Sequence, residues 1–329
     1  FDSAAHKSLE SDAVRLKYIF DPEAAVSAEM AEHYPFVEMG TSLPEILNDD
    51  EVEAVIVAVP IGMRHEMLKL CLESGRHCLA ADPIASDVSA AEELLELAEK
   101  KNLILMCGQA DCYSGPARLL KTMIRRGEIS TVEFYEATRL VLPPRRRNTH
   151  VIWELACGEF ALMRFLLDRE PQYVNAVSAD PQRDRRQDIA YVTFHFEHEL
   201  LAHFNLNRAS MARIGTLNIG TRHETIMVDR LKQGGEVCVY RNSSSRNLAG
   251  SRRSGDRDAM RAGDAYLPRI EAADAFVLML AEFADCVRHN RKPATDGYSG
   301  VQTVRAVNAA LRSLAGNGLS IPLWPPSWS

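Results

Sequence analysis

Long apolar runs are missing from this sequence. No stretch approaches the roughly 18 apolar residues that a membrane-spanning helix requires, and the first residues contain no hydrophobic region of the kind found in signal peptides. An excess of basic residues is missing too, since 38 Lys and Arg stand against 45 Asp and Glu and the formal net charge is −7. A chain with this charge has no overall field that attracts phosphate groups. We therefore expect no nucleic-acid partner, no membrane partner and a cytoplasmic location.

Metal-binding and redox cysteine motifs are also missing. The seven cysteines form no C-x-x-C pair, and most of them lie in apolar runs, so reduced structural thiols are expected. Three histidines, His195, His198 and His203, alternate along predicted strands and therefore point to both faces of a sheet. A metal site needs ligands that converge on one point, so we expect no metal.

Strand and helix patterns alternate over residues 1–112. Short apolar runs are separated by amphipathic segments, and this order is typical of βαβ units with a parallel sheet. The predicted strands are Val14–Asp21, Glu53–Pro60, His77–Ala81 and Asn102–Gly108, and the predicted helices between them include Pro22–Tyr34 and Arg64–Gly75. We predict a Rossmann-like α/β domain over residues 1–112.

The pattern changes from Tyr113 onwards. Runs that alternate apolar and polar residues replace the short apolar strands, which fits an antiparallel sheet with one buried face. The main predicted elements are a helix at Pro116–Glu128, a strand at Thr131–Leu142, alternating strands within Ile189–Asn207, and closing helices at Ile270–Asn290 and Gly300–Ala315. We predict an α+β domain with a large open antiparallel sheet over residues 113–329.

Four ordered blocks of the sequence match one family. They are VIVAVPIGMRHEMLKLCLESGRHCLAADPIA, GQADCYSGPARLLKTMIRRGEI, TRLVLPPRRRNTHVIWELACGEFALMRFLL and NRKPATDGYSGVQTVRAVNAALRSL. Through these blocks the sequence resembles, almost from end to end, the Gfo/Idh/MocA family of oxidoreductases. The resemblance implies an NAD(P)-dependent dehydrogenase of sugars, cyclitols or nucleotide sugars. It also implies that residues 113–329 bind the substrate and form a homo-oligomer through the open sheet.

The sequence departs from the family pattern at its chemical centre. Relatives have Glu-Lys-Pro where this chain has Ala81-Asp82-Pro83, so Asp82 stands at the lysine position and a carboxylate replaces an ammonium group. The chain has Gly158 where relatives have an acid/base histidine, and Gln109 where they have the histidine of a Gly-His pair. The residues up to Asp21 contain no G-x-G-x-x-G phosphate loop, so the first strand and turn of the Rossmann domain are expected to be missing.

Three residues match cofactor positions of relatives, and each also has a structural interpretation. Asp21 matches the acidic residue that binds the adenosine ribose, or it caps the following helix. Pro60 and His65 match positions beside the nicotinamide, or they are a strand stop and a residue of the first helical turn. The resemblance implies NAD(P), but the altered centre predicts that NAD(P) is not bound and that these three residues are vestigial.

Six residues are expected to line a cleft between the two domains, if the fold follows the family: Asp82, Gln109, Tyr113, Arg139, Glu154 and Glu159. When carboxylates lie close together in a poorly solvated cleft, their pKa values move apart, so that one is protonated while another is ionised. This arrangement suits general acid/base catalysis without hydride transfer. Asp82 is the best candidate for this role, and its structural interpretation is a helix N-cap. Glu154 and Glu159 are five residues apart on a predicted helix, so we expect at least one of them to face solvent.

Three functions stay open on the sequence alone. The first is a non-redox enzyme that uses Asp82, with Tyr113 or a glutamate, for elimination, isomerisation or cyclisation of a small polar or sugar-like metabolite. The second is a non-catalytic binding or scaffolding subunit. The third is an NAD(P)-dependent sugar or nucleotide-sugar dehydrogenase whose glycine-rich strand is missing from this chain. The altered residues favour the first two, and the clustered ionisable groups favour the enzyme.

Overall fold

The computed structural model describes residues 14–142, 150–179, 187–232, 235–242, 262–271 and 273–324. The chain forms two compact units. The first unit contains the described residues of 1–113 and 273–308, and the second unit contains those of 114–272 and 309–329. The sequence places all of 113–329 in one domain, whereas residues 273–308 pack in the first unit. One reason is the backbone hydrogen bond, 2.7 Å long, that the N–H of Cys107 donates to the carbonyl oxygen of Thr295.

Strands and helices alternate in the first unit, whereas strands dominate the second. The α-helices of the described residues are α1 Ala24–His33, α2 Leu43–Asn48, α3 Ile61–Glu73, α4 Val88–Lys100, α5 Gly115–Arg125, α6 Cys157–Leu167, α7 Ala275–His289 and α8 Gly297–Ala315. The strands are β1 Tyr18–Ile19, β2 Glu38–Met39, β3 Ala54–Val57, β4 His77–Ala81, β5 Leu105–Gly108, β6 Val132–Leu140, β7 Tyr173–Ala179, β8 Ile189–His195, β9 Leu201–Asn207, β10 Ile214–Thr221, β11 Glu224–Asp229, β12 Glu236–Asn242, β13 Ala262–Tyr266 and β14 Ile321–Pro322. None of these helices is long and apolar enough to cross a membrane.

The first unit is built on parallel strands, as predicted. β3, β4 and β5 form a three-stranded parallel sheet with β4 in the middle, and Ala81 is paired with Gly108 at its carboxyl edge. Cys78, Leu79 and Ala80 of β4 are all buried, as expected for a parallel strand that is covered on both faces. The predicted bounds of β4 are confirmed residue for residue.

Short elements near the start of the first unit differ from the prediction. The predicted strand Val14–Asp21 contains only the two-residue β1, which pairs in parallel with β2. Neither β2 nor α2 is predicted from the sequence. Elements of two to six residues are too short to show the periodicity on which such predictions depend.

The second unit contains a nine-stranded sheet in the order β13-β12-β11-β10-β6-β9-β8-β7-β14. Neighbouring strands run antiparallel except β6 and β9, which run parallel with Phe134 opposite Leu201. The sequence predicts a wholly antiparallel sheet, so this detail is wrong. The connection from β6 to β7 contains α6, and such a crossover lets the β7–β8–β9 meander return beside β6 in the parallel direction.

The two faces of this sheet differ in exposure. Along β8 the buried residues Ala190, Val192 and Phe194 alternate with more exposed ones, as predicted for a sheet with one buried face. Phe160 of α6 packs against Phe194 with ring centroids 5.3 Å apart, so α6 covers the buried face. The opposite face, called the open face below, carries large apolar side chains that are 38 to 52% exposed: Phe134, Tyr173, Val177, Tyr191, Leu201, Met227 and Tyr240.

Candidate active site

Two neighbouring strand ends place side chains at the carboxyl edge of the parallel sheet. Asp82 follows β4 and Gln109 follows β5, directly after the paired residues Ala81 and Gly108. The strands approach closely there because residue 108 is glycine, and a Cβ at this position would lie 3.0 Å from the carbonyl oxygen of Ala80. Open α/β sheets bind their ligands at the carboxyl edge. The structure therefore brings two predicted site residues, Asp82 and Gln109, into contact at such an edge.

The Asp82 carboxyl lies in a poorly solvated position. Its Oδ1 accepts a hydrogen bond from Nε2 of Gln109 at 3.3 Å. Burial raises the pKa of Asp82 to about 6, while the hydrogen bond from Gln109 and the charge of Arg64 oppose this rise. The Arg64 guanidinium is fixed by bonds to the carbonyl oxygens of Val59 and Pro83. Asp82 therefore changes its charge much closer to neutral pH than an ordinary aspartate does.

The helix after Asp82 is capped by a different residue. α4 begins at Val88, and its N-cap is Asp87, whose carboxylate accepts a hydrogen bond from the backbone N–H of Ala90 at 2.9 Å. Asp82 lies before this cap, next to Pro83, in a cis peptide bond. The N-cap interpretation of Asp82 is therefore wrong.

Gln109 is anchored by two hydroxyl groups of α8. Oγ of Ser299 donates to Oε1 of Gln109 at 2.8 Å, and Nε2 of Gln109 donates to Oγ1 of Thr303 at 3.1 Å. All three residues are buried. α8 packs closely on β5 at Gly300, where a Cβ would lie 2.5 Å from Sγ of Cys107. Ser299 and Thr303 are not among the residues predicted from the sequence, although their spacing of four residues places them on one helix face.

Tyr113 also belongs to the first unit, but its hydroxyl points to a different partner. Oγ1 of Thr295 donates to the carbonyl oxygen of Cys107 at 2.8 Å, so it accepts from the Tyr113 hydroxyl at 3.1 Å. Burial raises the pKa of Tyr113, and the charge of Glu282 adds to the rise against the opposing bond to Thr295. The structure thus pairs Tyr113 with Thr295 rather than with Asp82, and the phenol stays protonated at neutral pH.

Two of the remaining predicted site residues, Arg139 and Glu159, meet in the second unit. Glu159 of α6 is 1% exposed, and its carboxylate lies 2.6 Å from Nη2 of Arg230 and 3.5 Å from Nε of Arg139. Arg139 lies on β6, and Arg230 directly follows β11. A carboxylate this deeply buried requires cationic partners. Arg230, whose charge completes this ion-pair cluster, is not among the residues predicted from the sequence.

Glu154 belongs to a second ion-pair cluster of the same unit. It lies in the π-helical turn Ile152–Ala156, its side chain is 36% exposed, and its Oε2 accepts from Nη1 of Arg208 at 2.5 Å. Nε of Arg208 donates to Oδ1 of Asp188 at 2.7 Å, and both of these side chains are fully buried. The expectation that at least one of Glu154 and Glu159 faces solvent is confirmed by Glu154. That all six predicted residues line one cleft stays a prediction.

The pairing of Asp188 with Arg208 has a signal in the sequence, namely opposite charges at the two ends of the run Ile189–Asn207, which is predicted to form strands. The two residues flank the β8–β9 hairpin, in which Ile189 is paired with Asn207. Asp188 and Arg208 are therefore the next opposite positions, and the N–H of Arg208 donates to the carbonyl oxygen of Asp188 at 2.9 Å. Opposite charges at facing positions of neighbouring strands attract each other.

The residues that match cofactor positions all have structural partners. Oδ1 of Asp21 accepts from the backbone N–H of Glu23 at 2.8 Å, just before α1. Pro60 is the N-cap residue of α3. Nε2 of His65 lies 2.9 Å from the carboxylate of Glu93 on α4. α3 begins at Ile61, three residues earlier than predicted, so His65 lies beyond the first helical turn.

Metal ligands do not converge in the part of the chain that the structure describes. No group of three or more His, Cys, Asp or Glu side chains there could hold a metal ion. His203, one of the three alternating histidines, stacks on Tyr191 with ring centroids 6.1 Å apart. Its Nδ1 also forms a hydrogen bond of 2.9 Å with the Thr193 hydroxyl, so the ring has structural contacts on the open side of the sheet.

Comparisons with known proteins give matches in one family. The Gfo/Idh/MocA sequence model, described as an oxidoreductase family with an NAD-binding Rossmann fold, matches residues 3–109. The uncharacterized oxidoreductase C26H5.09c of Schizosaccharomyces pombe is 31% identical over 104 residues, which are 32% of this chain and 28% of that protein. The 4-carboxy-2-hydroxymuconate-6-semialdehyde dehydrogenase of Sphingobium sp. is 28% identical over 162 residues, which are 47% of this chain and 51% of that protein. The matched stretches thus span about half or less of these relatives.

A solved structure extends the similarity of the fold to most of the chain. The UDP-N-acetylglucosamine 3-dehydrogenase GnnA of Acidithiobacillus ferrooxidans has a TM-score of 0.82 and 19% identity, over 95% of this chain and 93% of that chain. At this level of identity the match shows the fold, a Rossmann-like parallel-sheet domain followed by a domain with a large mixed sheet. Residues 3–109 therefore match the Gfo/Idh/MocA family of oxidoreductases, and the similarity over the rest of the chain is one of fold.

Proposed function

We propose that the chain catalyses a non-redox acid/base reaction on a small polar or sugar-like metabolite, with Asp82 as the group that transfers the proton. The reaction class is elimination, isomerisation or cyclisation. The observation that carries this proposal is the Asp82 carboxyl at the edge of the parallel sheet, where burial raises its pKa to about 6. A group that titrates near the working pH is an efficient general acid or base. Ionised Asp82 would take a proton from the substrate, and protonated Asp82 would return one.

The same position disfavours hydride transfer with NAD(P). In the family pattern a lysine stands where this chain has Asp82, and an ionised carboxylate cannot donate a hydrogen bond or stabilise a developing alkoxide. Gly158, at the position of the family histidine, has no side-chain proton to donate. Asp21 and His65 already contact Glu23 and Glu93. These residues do not fit a hydride-transfer centre of the family type, and no step of the proposed reaction involves NAD(P).

A second candidate is an NAD(P)-dependent dehydrogenase of a sugar or nucleotide sugar. The match of residues 3–109 to an NAD-binding family favours it. So do the names of similar proteins, which include a semialdehyde dehydrogenase and a UDP-N-acetylglucosamine 3-dehydrogenase. This candidate requires that NAD(P) binds and is reduced or oxidised, whereas the first candidate requires neither.

Cofactor titration separates these two candidates. We expect no saturable binding when the purified protein is titrated with NADH or NADPH up to millimolar concentration, followed by nicotinamide fluorescence and calorimetry. The physical reason is the carboxylate at position 82 in place of the cationic side chain that relatives have there. Mass spectrometry of any molecule retained through purification serves as the control for cofactor that is already bound. Saturable micromolar binding would favour the dehydrogenase.

Isotope exchange tests the proposed reaction directly. The protein is incubated in D₂O with cyclitols, keto sugars and UDP-sugars, and the products are analysed by NMR. A proton-abstracting enzyme is expected to introduce deuterium at a carbon of one of these compounds without added NAD(P). Loss of exchange in Asp82→Asn would support the role of Asp82. Absence of both exchange and cofactor binding would instead favour a non-catalytic binding or scaffolding subunit.

The open face supports a homo-oligomer in which a second copy of the chain covers it. Large exposed apolar areas are rare on monomers, and a two-fold axis lets one face cover its own copy. We expect light scattering to give a mass above the monomer value of 36.7 kDa, and Tyr191→Lys to shift the protein towards the monomer. Phe36→Lys is the matched control, because Phe36 is an exposed aromatic residue of the first unit. A mass of 36.7 kDa at every concentration would contradict the prediction.

A further inference from the structure

We infer that Gln109 is a positioning residue for Asp82. Ser299 and Thr303 hold its amide in one orientation, so that Oδ1 of Asp82 accepts a hydrogen bond and Oδ2 carries the exchangeable proton. The inference rests on the proposed function, because it specifies which oxygen of Asp82 exchanges a proton with the substrate. Gln109, Ser299 and Thr303 would act through Asp82 and not on the substrate itself.

The orientation of the Gln109 amide follows from the hydrogen bonds of α8. The hydroxyl of Thr303 has one proton, and it donates this proton to the carbonyl oxygen of Ser299 at 3.0 Å. Oγ1 of Thr303 can therefore only accept from Gln109, at 3.1 Å, so the atom of Gln109 that faces it is the amide nitrogen. The amide oxygen then faces the Ser299 hydroxyl, which donates to it at 2.8 Å. The reversed amide would place two acceptors opposite each other at Thr303.

The second amide proton of Gln109 determines which oxygen of Asp82 accepts a hydrogen bond and which one can be protonated. An amide nitrogen has two protons, and one is already donated to Thr303. The other points to Oδ1 of Asp82 at 3.3 Å. A proton on Oδ1 would meet this N–H, so protonation of the carboxyl occurs on Oδ2. The bond is stronger when Asp82 is ionised, which is why it opposes the rise in the pKa of Asp82.

Among the described residues, the ionisable groups that act on Asp82 or on its neighbour Cys107 come from three segments. α3 contributes the Arg64 guanidinium, which favours the ionised carboxylate. β5 contributes Cys107, whose pKa is raised by burial and by the charge of Asp82, so that the thiol stays neutral. Cys107 also feels the charge of Asp296, which directly precedes α8 and has an ion pair with Lys292 at 2.7 Å. None of these four groups changes in the variants proposed below, so differences between variants report on Gln109 and its anchors.

The test is an NMR titration of Asp82 in the full chain without substrate. Protein labelled with ¹³C at the aspartate carboxyls is titrated, and the Asp82 signal is assigned by its loss in Asp82→Asn. We expect Gln109→Met to raise the pKa of Asp82 by about one unit, because the hydrogen bond to the ionised form is lost. Thr303→Val should shift it in the same direction, whereas Thr303→Ser, which keeps the hydroxyl, should leave it unchanged.

The outcomes separate the inference from the proposed function. An unchanged Asp82 titration in both Gln109→Met and Thr303→Val would overturn the inference. If Gln109→Met does not fold, the comparison of Thr303→Val with Thr303→Ser tests the inference by itself, because both of these variants retain Gln109. If the pKa of Asp82 shifts in the variants but the protein shows no turnover, the proposed function is wrong and the inference about Gln109 stands. If the protein shows turnover but the pKa of Asp82 does not shift in the variants, the inference about Gln109 is wrong and the proposed function stands.

Discussion

Asp82→Asn is expected to stabilise the first unit above pH 6 and to leave its stability unchanged below pH 4. Burial raises the pKa of Asp82 from 3.8 to about 6 in the folded chain, so ionisation of the carboxyl costs free energy only when the chain is folded. By linkage this cost is absent below pH 3.8, where the carboxyl is protonated in both states. It increases between pH 3.8 and pH 6 and is constant above about pH 6. A rise of about two pKa units corresponds to at most about 3 kcal/mol.

The measurement is the urea midpoint of the first unit at a low and a high pH. A short hydrogen-exchange pulse at one fixed pH, read on peptides from β4 and β5, follows this unit separately from the second. Asp87→Asn is the matched control, because asparagine caps a helix as well as aspartate does and the cap of α4 is preserved. If Asp82→Asn had the same midpoint as the natural chain at high pH, the carboxyl would not be desolvated. The acid/base proposal would then lose its physical basis.

The same substitution should have the opposite effect on catalysis. Asparagine keeps the shape of Asp82 but cannot exchange a proton near neutral pH, so turnover in the isotope-exchange assay should fall by roughly 10²-fold or more. A residue that is kept for stability would lose stability when replaced. A gain in stability combined with a loss of turnover is the result expected for a residue kept for function. Unchanged turnover would remove Asp82 from the mechanism.

The position of Asp82 could be predicted from the sequence, but its hydrogen bonds could not. Its position depends on a local pattern, the apolar run His77–Ala81, which forms β4 with the predicted bounds. Its partner Gln109 is 27 residues away in the sequence, and Thr303 is a further 194 residues from Gln109. Apolar and polar periodicity contains no information on which distant side chains meet. The hydrogen bonds that set the properties of Asp82 therefore come only from the structure, although Gln109 itself is among the predicted site residues.

The order of the strands in the second unit likewise cannot be predicted from local periodicity. Alternation along Ile189–Asn207 correctly predicts which face of β8 and β9 is buried, because the side-chain period of a strand is local. It does not specify which strand lies next to β9 or in which direction that strand runs. The parallel pair of β6 and β9 joins Phe134 to Leu201 across a helical crossover. Alternation alone therefore predicts an antiparallel sheet, and the parallel pairing of β6 with β9 is seen only in the structure.

Arg208→Met is expected to destabilise the second unit by about 3–5 kcal/mol, because it would leave the buried Asp188 carboxylate without the guanidinium that faces it at 2.7 Å. Both side chains are fully buried, so water cannot replace the lost ion pair. Urea unfolding followed by tryptophan fluorescence measures the effect. Trp153 and Trp324, the tryptophans among the described residues, both belong to the second unit.

Two further variants show whether buried charge is the cause. Lys232→Met removes the exposed ion pair with Glu236 in the same unit, and it should cost less than about 1 kcal/mol because water solvates both groups. Arg208→Met combined with Asp188→Leu removes both buried charges, and it should recover most of the lost stability. A loss in Arg208→Met no larger than that in Lys232→Met would contradict the prediction. If the double variant recovers the lost stability, the Arg208 cluster serves the folding of the second unit. Glu154, which binds the same guanidinium, would then no longer be a candidate site residue.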